Sequence, residues 1–250
     1  MGAVSAGLWG CGTTPSPPPK GGAGATVTGV ELFARSWEAL RATVAGLPDE
    51  DFARPSGCAG WLVRDLVCHL VIDAQDVLIT LATPTTAAPT RDAVTYWTID
   101  DPAAPDDPPG QDPLSALTVR LAAAYQDMGL LKFHLDDVGS AAGRAARLAG
   151  PDLRVATQGE VLTAGNYLSA YVYEWTLHHL DLRAHLPGVP GPSAEGLAHA
   201  RALLEGVAGA PFPAALSDED ALLLGTGRRS PTEEQRAALG PVAGRLPFVA

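Results

Sequence analysis

No stretch of this sequence stays apolar for the roughly 18–20 residues that a membrane-spanning helix requires, so no transmembrane segment is expected. Cysteine is scarce, with Cys11, Cys58 and Cys68 the three in 250 residues. An odd count without a spaced framework argues against a disulfide scaffold and points to a reduced, intracellular chain placed in the cytoplasm. Basic residues number 17 against 28 acidic ones, for a net charge of −11. With no basic stripe to neutralise phosphates, nucleic acid is excluded as a partner, and a peripheral role on anionic membranes is disfavoured. The N-terminus lacks a cationic start followed by a continuous apolar core, so it is a poor signal peptide. A lipoprotein reading around Cys11 is weaker than a disordered Pro/Gly leader over residues 1–25, or a start codon placed too early.

β-branched residues rarely fall in period-2 runs, and no internal repeat is seen. Alanine and leucine dominate, and 46% of the chain is hydrophobic. That combination favours helices around a sizeable core. Leu32, Phe33, Trp37, Leu40 and Val44 share one face of a helix over 30–45. Leu66, Leu70, Ala74, Val77 and Leu81 form the core stripe of a second over 61–81. A break follows from Pro84 to Pro113 with seven prolines, six aspartates and one arginine. A break of that length is either functional or disordered, and Tyr96 and Trp97 within it fit a lid that drops aromatics over a site. A third helix is expected over 114–138 and a fourth over 161–185. Shorter helices follow at 194–207, 218–224 and 232–239, the last with Ser230 as N-cap, Pro231 at the first position and Glu233 reaching back. The expected fold is all-α, a four-helix bundle over 26–187 with a short helical C-terminal extension over 188–250.

The fourth helix carries the chemistry. In the stretch 166–186 (NYLSAYVYEWTLHHLDLRAHL), Glu174, His178, Asp181 and His185 fall at i, i+4, i+7 and i+11, one stripe of a helix that is otherwise nearly all apolar. Such a helix is buried, and a carboxylate with two imidazoles inside a bundle requires a compensating charge. A divalent metal supplies it, although a salt-bridged Glu–His pair satisfies the same burial without one. Catalytic zinc-type sites take three protein ligands and leave a position open. Glu174 and His178 supply two. His69, in the middle of the second helix, is the best third ligand, with His134 as runner-up. His179 points about 100° away from His178 and reads as a surface histidine or one that supports the ligands from outside. Asp181 is placed to orient an imidazole, and Asp65 stands in the same relation to His69. His185 and His199 read as plain surface histidines, and Cys68 as a small buried hydrophobe.

At these residues the chain resembles a known family. The segment 60–70 (GWLVRDLVCHL) is similar to the second helix of the mycothiol-dependent maleylpyruvate isomerase family, relatives of the DinB-like four-helix bundles. The segment 174–182 (EWTLHHLDL) resembles the fourth-helix motif of that family. The tail from Gly227-Arg228-Arg229 to Arg245-Leu246-Pro247 resembles an ending common among its actinobacterial members. The resemblance implies a DinB-like bundle whose ligands are His69, Glu174 and His178 on one divalent metal, usually zinc. It also implies mycothiol as thiol cosubstrate, and Arg228 as the arginine from the C-terminal region that helps bind substrate. Residues 188–250 are shorter and more helical than the α/β C-terminal domain of the founding members, so substrate identity does not carry over.

The expected function is a metal-dependent enzyme that activates a low-molecular-weight thiol for S-transfer to, or cis–trans isomerisation of, a small electrophile. His69, Glu174 and His178 are then the metal ligands, with Asp181 and Arg228 acting beside them, in a monomer or homodimer. A rival expectation is a metal-binding or stress-response bundle without turnover, marked by a closed fourth ligand or by no cavity beside the metal. Hydrolysis by a zinc-bound water is a third, weakened by the lack of a general base beyond Asp181.

Overall fold

The computed structural model describes residues 29–98 and 113–249. The leader expected over 1–25 lies outside the described residues, as do residues 99–112 of the long break. Apolar residues at helical spacing place Leu32, Phe33, Trp37, Leu40 and Val44 on the buried face of α1 (Gly29–Gly46). The same spacing buries Leu66, Leu70, Ala74 and Val77 on α2 (Val63–Leu81), with Leu81 at its half-buried end.

The expected third helix is two. α3 (Pro113–Ala124) stops before Tyr125, and α4 (Met128–Leu148) starts afresh. Asp127 causes the restart: its side chain accepts from the Gly129 N–H at 2.8 Å, an N-cap that ends one helix and begins the next. The expected start of the fourth helix at Val161 is also corrected. Arg154–Thr157 (β1) and Glu160–Thr163 (β2) form a small antiparallel hairpin. Its two-residue turn, Gln158-Gly159, has φ of 48° and 83°, the positive values such a turn requires. α5 (Ala164–Arg183) begins only after Thr163, whose hydroxyl accepts from the Asn166 N–H.

α1, α2, α4 and α5 make the bundle, with α2 against α4 and α1 against both α4 and α5. This is the expected all-α, DinB-like fold. Trp37 stacks on Trp175 at 3.8 Å between ring centres and donates to the Gly139 carbonyl at 2.8 Å, tying α1 to α5 and α4. α5 is buried nearly all round, as its composition requires. Its outer face (Tyr173, Leu177, Leu180) joins a second core formed with α6 (Ala194–Ala208), α7 (Asp218–Gly225) and Leu239 of α8 (Glu233–Leu239). The cap of α8 is Thr232 paired with Gln235, not the expected Ser230 with Glu233.

The segment after α2 is pinned to the hairpin. Thr85 donates to the Arg154 carbonyl, Ala156 to that of Thr83, and Thr90 to that of Val161. Asp92 Oδ1 accepts from the Val94 and Thr95 N–H groups and sets a 3-10 turn over Thr95–Trp97. That turn carries Tyr96 and Trp97 to the mouth of the bundle. No helix among the described residues is long and apolar enough to cross a membrane.

Candidate metal centre

α2 and α5 meet at one polar spot. His178 Nε2 lies 3.0 Å from Glu174 Oε1 and 3.1 Å from His69 Nε2. His69 Nε2 is 3.8 Å from Glu174 Oε1 and 3.5 Å from Asp73 Oδ2. One atom from each of His69, Asp73, Glu174 and His178 falls within 4.8 Å of the others. Tetrahedral donors about 2.0–2.1 Å from a zinc-type ion stand roughly 3.3–3.5 Å apart, and most of these distances are already near that value. The three expected ligands are therefore brought together. Asp73 is the one the sequence reading missed, although it follows His69 by the same four residues that separate Glu174 from His178.

The donors want a cation. Asp73 is 6% exposed, and its Oδ2 accepts no hydrogen bond. An orphaned buried carboxylate oxygen is costly. Burial pushes the Asp73 carboxyl up to about 6, with the His69 charge opposing and that of Glu174 adding. Burial also acts to raise the Glu174 carboxyl, but the His178 and His69 rings outweigh it and hold it well below the usual carboxylate range. For His178, burial favours the neutral ring, yet Glu174, Asp181 and Cys58 lift its pKa well above the ordinary value. With side chains alone, a protonated imidazole supplies the positive charge that the carboxylates demand.

Behind His178 stands the expected Asp181. Its Oδ2 is 3.1 Å from His178 Nδ1, which fixes the ring so that Nε2 faces the cluster. Arg228 follows the left-handed Gly227 (φ 72°) and donates to both Asp181 oxygens at 2.8 Å. Burial works to raise the Asp181 carboxyl, but His178 and Arg228 bring it down to about 2. Cys58 joins from the loop before α2, with Sγ 3.3 Å from Asp181 Oδ2 and 3.8 Å from His178 Nδ1. No spacing in the sequence marks Cys58. Its neighbour Gly57 reveals the close approach, since a Cβ there would sit 2.7 Å from the Asp181 Cα.

Other expectations fall elsewhere. His134, on α4, bonds the Tyr125 hydroxyl and is not part of the cluster. Asp65 accepts from the Leu62 N–H at 2.8 Å, capping α2 rather than orienting His69. His179 is buried, not on the surface. It bonds Thr43 and the Pro190 carbonyl, each at 3.1 Å, and burial lowers its pKa to about 4. His199 is partly buried against Ser169. Cys68 is the small buried hydrophobe expected, its thiol pushed up to about 11 by burial and by Asp65.

Two cavities open on the cluster. The larger, about 650 Å³, is bounded by α2, α3, the 91–98 segment and the hairpin. The smaller, about 370 Å³, is lined by Tyr173, Leu177, His178, Arg228 and Val249. His69, Glu174, Tyr96 and Trp97 border both.

The family model described as the mycothiol maleylpyruvate isomerase N-terminal domain matches residues 33–183. The chain belongs to that family. The match spans the bundle and holds all four donors together with Asp181, and it ends before Arg228. No curated protein and no solved structure matches the chain.

Proposed function

We propose that this member of the mycothiol maleylpyruvate isomerase family is a metal-dependent enzyme that activates a low-molecular-weight thiol, mycothiol, toward a small electrophile. The observation that carries the reading is the convergence of His69, Glu174, His178 and Asp73 at ligand spacing where two cavities meet. His69, Glu174 and His178 would hold the ion, zinc by its mixed N/O donor set, with Asp73 in reach of a further position. A divalent ion bound there lowers the pKa of a thiol and provides a thiolate nucleophile near neutral pH.

The chain's own residues then do the rest. Asp181 keeps His178 in one tautomer and orientation, and Arg228 keeps Asp181 ionised. Tyr96 and Trp97 border the space where thiol and electrophile meet and exclude water from it. Addition of the thiolate sulfur to an electrophilic double bond forms a C–S bond and moves the π pair onto the activating group. Rotation followed by expulsion of the thiolate restores the double bond in the other geometry. Protonation of the adduct in place of expulsion makes the same step an S-transfer.

Asp73 favours a second reading, a metal-binding protein without turnover, because a fourth protein donor closes a structural site. The two cavities beside the cluster favour the catalytic one. The test is metal analysis of wild type beside Glu174→Ala, with monochlorobimane consumption in the presence of mycothiol. About one equivalent of metal in wild type, its loss in the variant and a metal-dependent rate are expected. Equal metal in both proteins removes the site, and metal without any rate above the uncatalysed reaction leaves the non-catalytic reading.

A further inference from the structure

The larger cavity has walls of two kinds. Trp61, Tyr96, Trp97 and Tyr171 are aromatic, and Asp76 and Glu160 add carboxylates to those of the donor cluster. Arg91 is the one arginine or lysine among its described lining residues, and it is engaged. Its Nε donates to Glu160 Oε1 at 3.1 Å, and its Nη1 reaches the Thr95 carbonyl and the Thr98 hydroxyl. Arg228 belongs to the smaller cavity and is committed to both oxygens of Asp181. Asp76 makes no ion pair with a described residue.

A divalent ion held by Glu174 and Asp73 neutralises those two carboxylates and leaves Asp76 and the Glu160–Arg91 pair unchanged. The cavity therefore stays net negative with the ion in place. A dicarboxylate entering it finds no uncommitted guanidinium or ammonium among the described residues. An organic cation meets aromatic faces and an unpaired carboxylate, the two features that recognise ammonium groups. At about 650 Å³ the space suits a small molecule with an apolar body, within the roughly 300–1,000 Å³ typical of such sites.

We infer that the larger cavity binds an organic cation with an apolar body, a protonated amine or quaternary ammonium, and turns away carboxylate anions of the maleylpyruvate kind. This deepens the thiol-transfer reading of the same site and rests on it for the identity of the electrophile, while the charge preference itself is read without turnover.

The test titrates the metal-loaded full chain with three probes that share a naphthalene body. These are (2-naphthylmethyl)trimethylammonium, 2-naphthalenemethanol and 2-naphthalenesulfonate, and neither charged probe is a good metal ligand. Binding is followed by calorimetry. The cation is expected to bind at least tenfold tighter than the sulfonate, with the alcohol between them. Asp76→Asn should weaken the cation three- to tenfold, and Glu160→Gln, which removes a negative charge from the wall, should strengthen the sulfonate by a similar factor. A sulfonate that binds wild type as tightly as the ammonium overturns the inference, as does a cation affinity untouched by Asp76→Asn. The wild-type comparison stands even where a variant fails to fold. If the charge order holds but no thiol-dependent rate exists, the proposed function fails and the binding preference survives. A thiol-dependent rate with the reverse order sinks the preference alone.

Discussion

Asp73 repeats on α2 what His178 does on α5, since each side chain follows its partner donor by four residues and so shares its face. The two pairs face each other across the bundle, which gives a four-donor cluster from only two helices. Asp73 is the member with the most to gain from a cation, because its Oδ2 is buried and accepts no hydrogen bond. Asp73→Asn keeps the shape and removes the charge. We expect the variant to fold and to retain metal at high concentration, with affinity reduced by about 10–100-fold, the range seen when groups supporting a metal site are altered. Competition against a chromophoric chelator measures this directly, and an unchanged affinity would show that Asp73 takes no part. The pairing at spacing four was visible in the sequence, where Asp73 shares an edge of α2 with His69. Its burial was not, because whether that edge faces solvent or α5 depends on the helix crossing.

At the scale of elements, His179 joins three of them. It sits on α5, bonds Thr43 of α1 and reaches the Pro190 carbonyl in the loop before α6. Burial depresses its pKa to about 4, against roughly 6.5 in an unfolded chain. Between those values the unfolded chain takes up a proton that the native ring refuses, so native stability falls as pH drops from about 6.5 toward 4. At about 1.4 kcal/mol per unit, the metal-free wild type should lose about 2 kcal/mol more than His179→Gln between pH 7 and pH 5. Urea denaturation at the two pH values reads the difference, and parallel losses in both proteins would refute it. The helices themselves were legible because apolar spacing and burial follow one another closely: the predicted faces of α1 and α2 are the buried ones. What escaped was local chemistry. Asp127 restarts a helix that periodicity alone runs straight through, and the Gln158-Gly159 hairpin hides β2 inside what reads as a helix start. Cys58 reaches the site only because Gly57 lets a loop lie against α5, an approach that spacing along the chain does not encode. Asp181 and Arg228 lie 47 positions apart in the sequence; the resemblance assigned Arg228 to substrate, and nothing along the chain marks its pairing with Asp181.

At the scale of the whole molecule, the family match ends at residue 183, but the physical unit does not. Tyr173, Leu177 and Leu180 leave the bundle on the outer face of α5 and are 1%, 3% and 4% exposed because α6, α7 and the chain after them cover that face. The same region returns Arg228 to Asp181 and brings Val249 to the smaller cavity. A chain cut after Pro187 would expose those three side chains. At about 1.5–3 kcal/mol each, that is about 5–9 kcal/mol, comparable with the roughly 5–15 kcal/mol that stabilises a typical domain. It would also leave the Asp181 carboxylate without its guanidinium in a nearly closed core, a further penalty. The truncated protein is therefore expected to aggregate or to lose its cooperative melt, although every donor of the metal cluster remains in it. Adding metal should not restore the melt, because the ion replaces neither the apolar cover nor Arg228. Differential scanning calorimetry of the truncated and full chains, each with and without zinc, decides the matter. A truncated chain that melts cooperatively near the full chain's temperature would mean that residues 188–250 are an accessory to the bundle and not part of its stability.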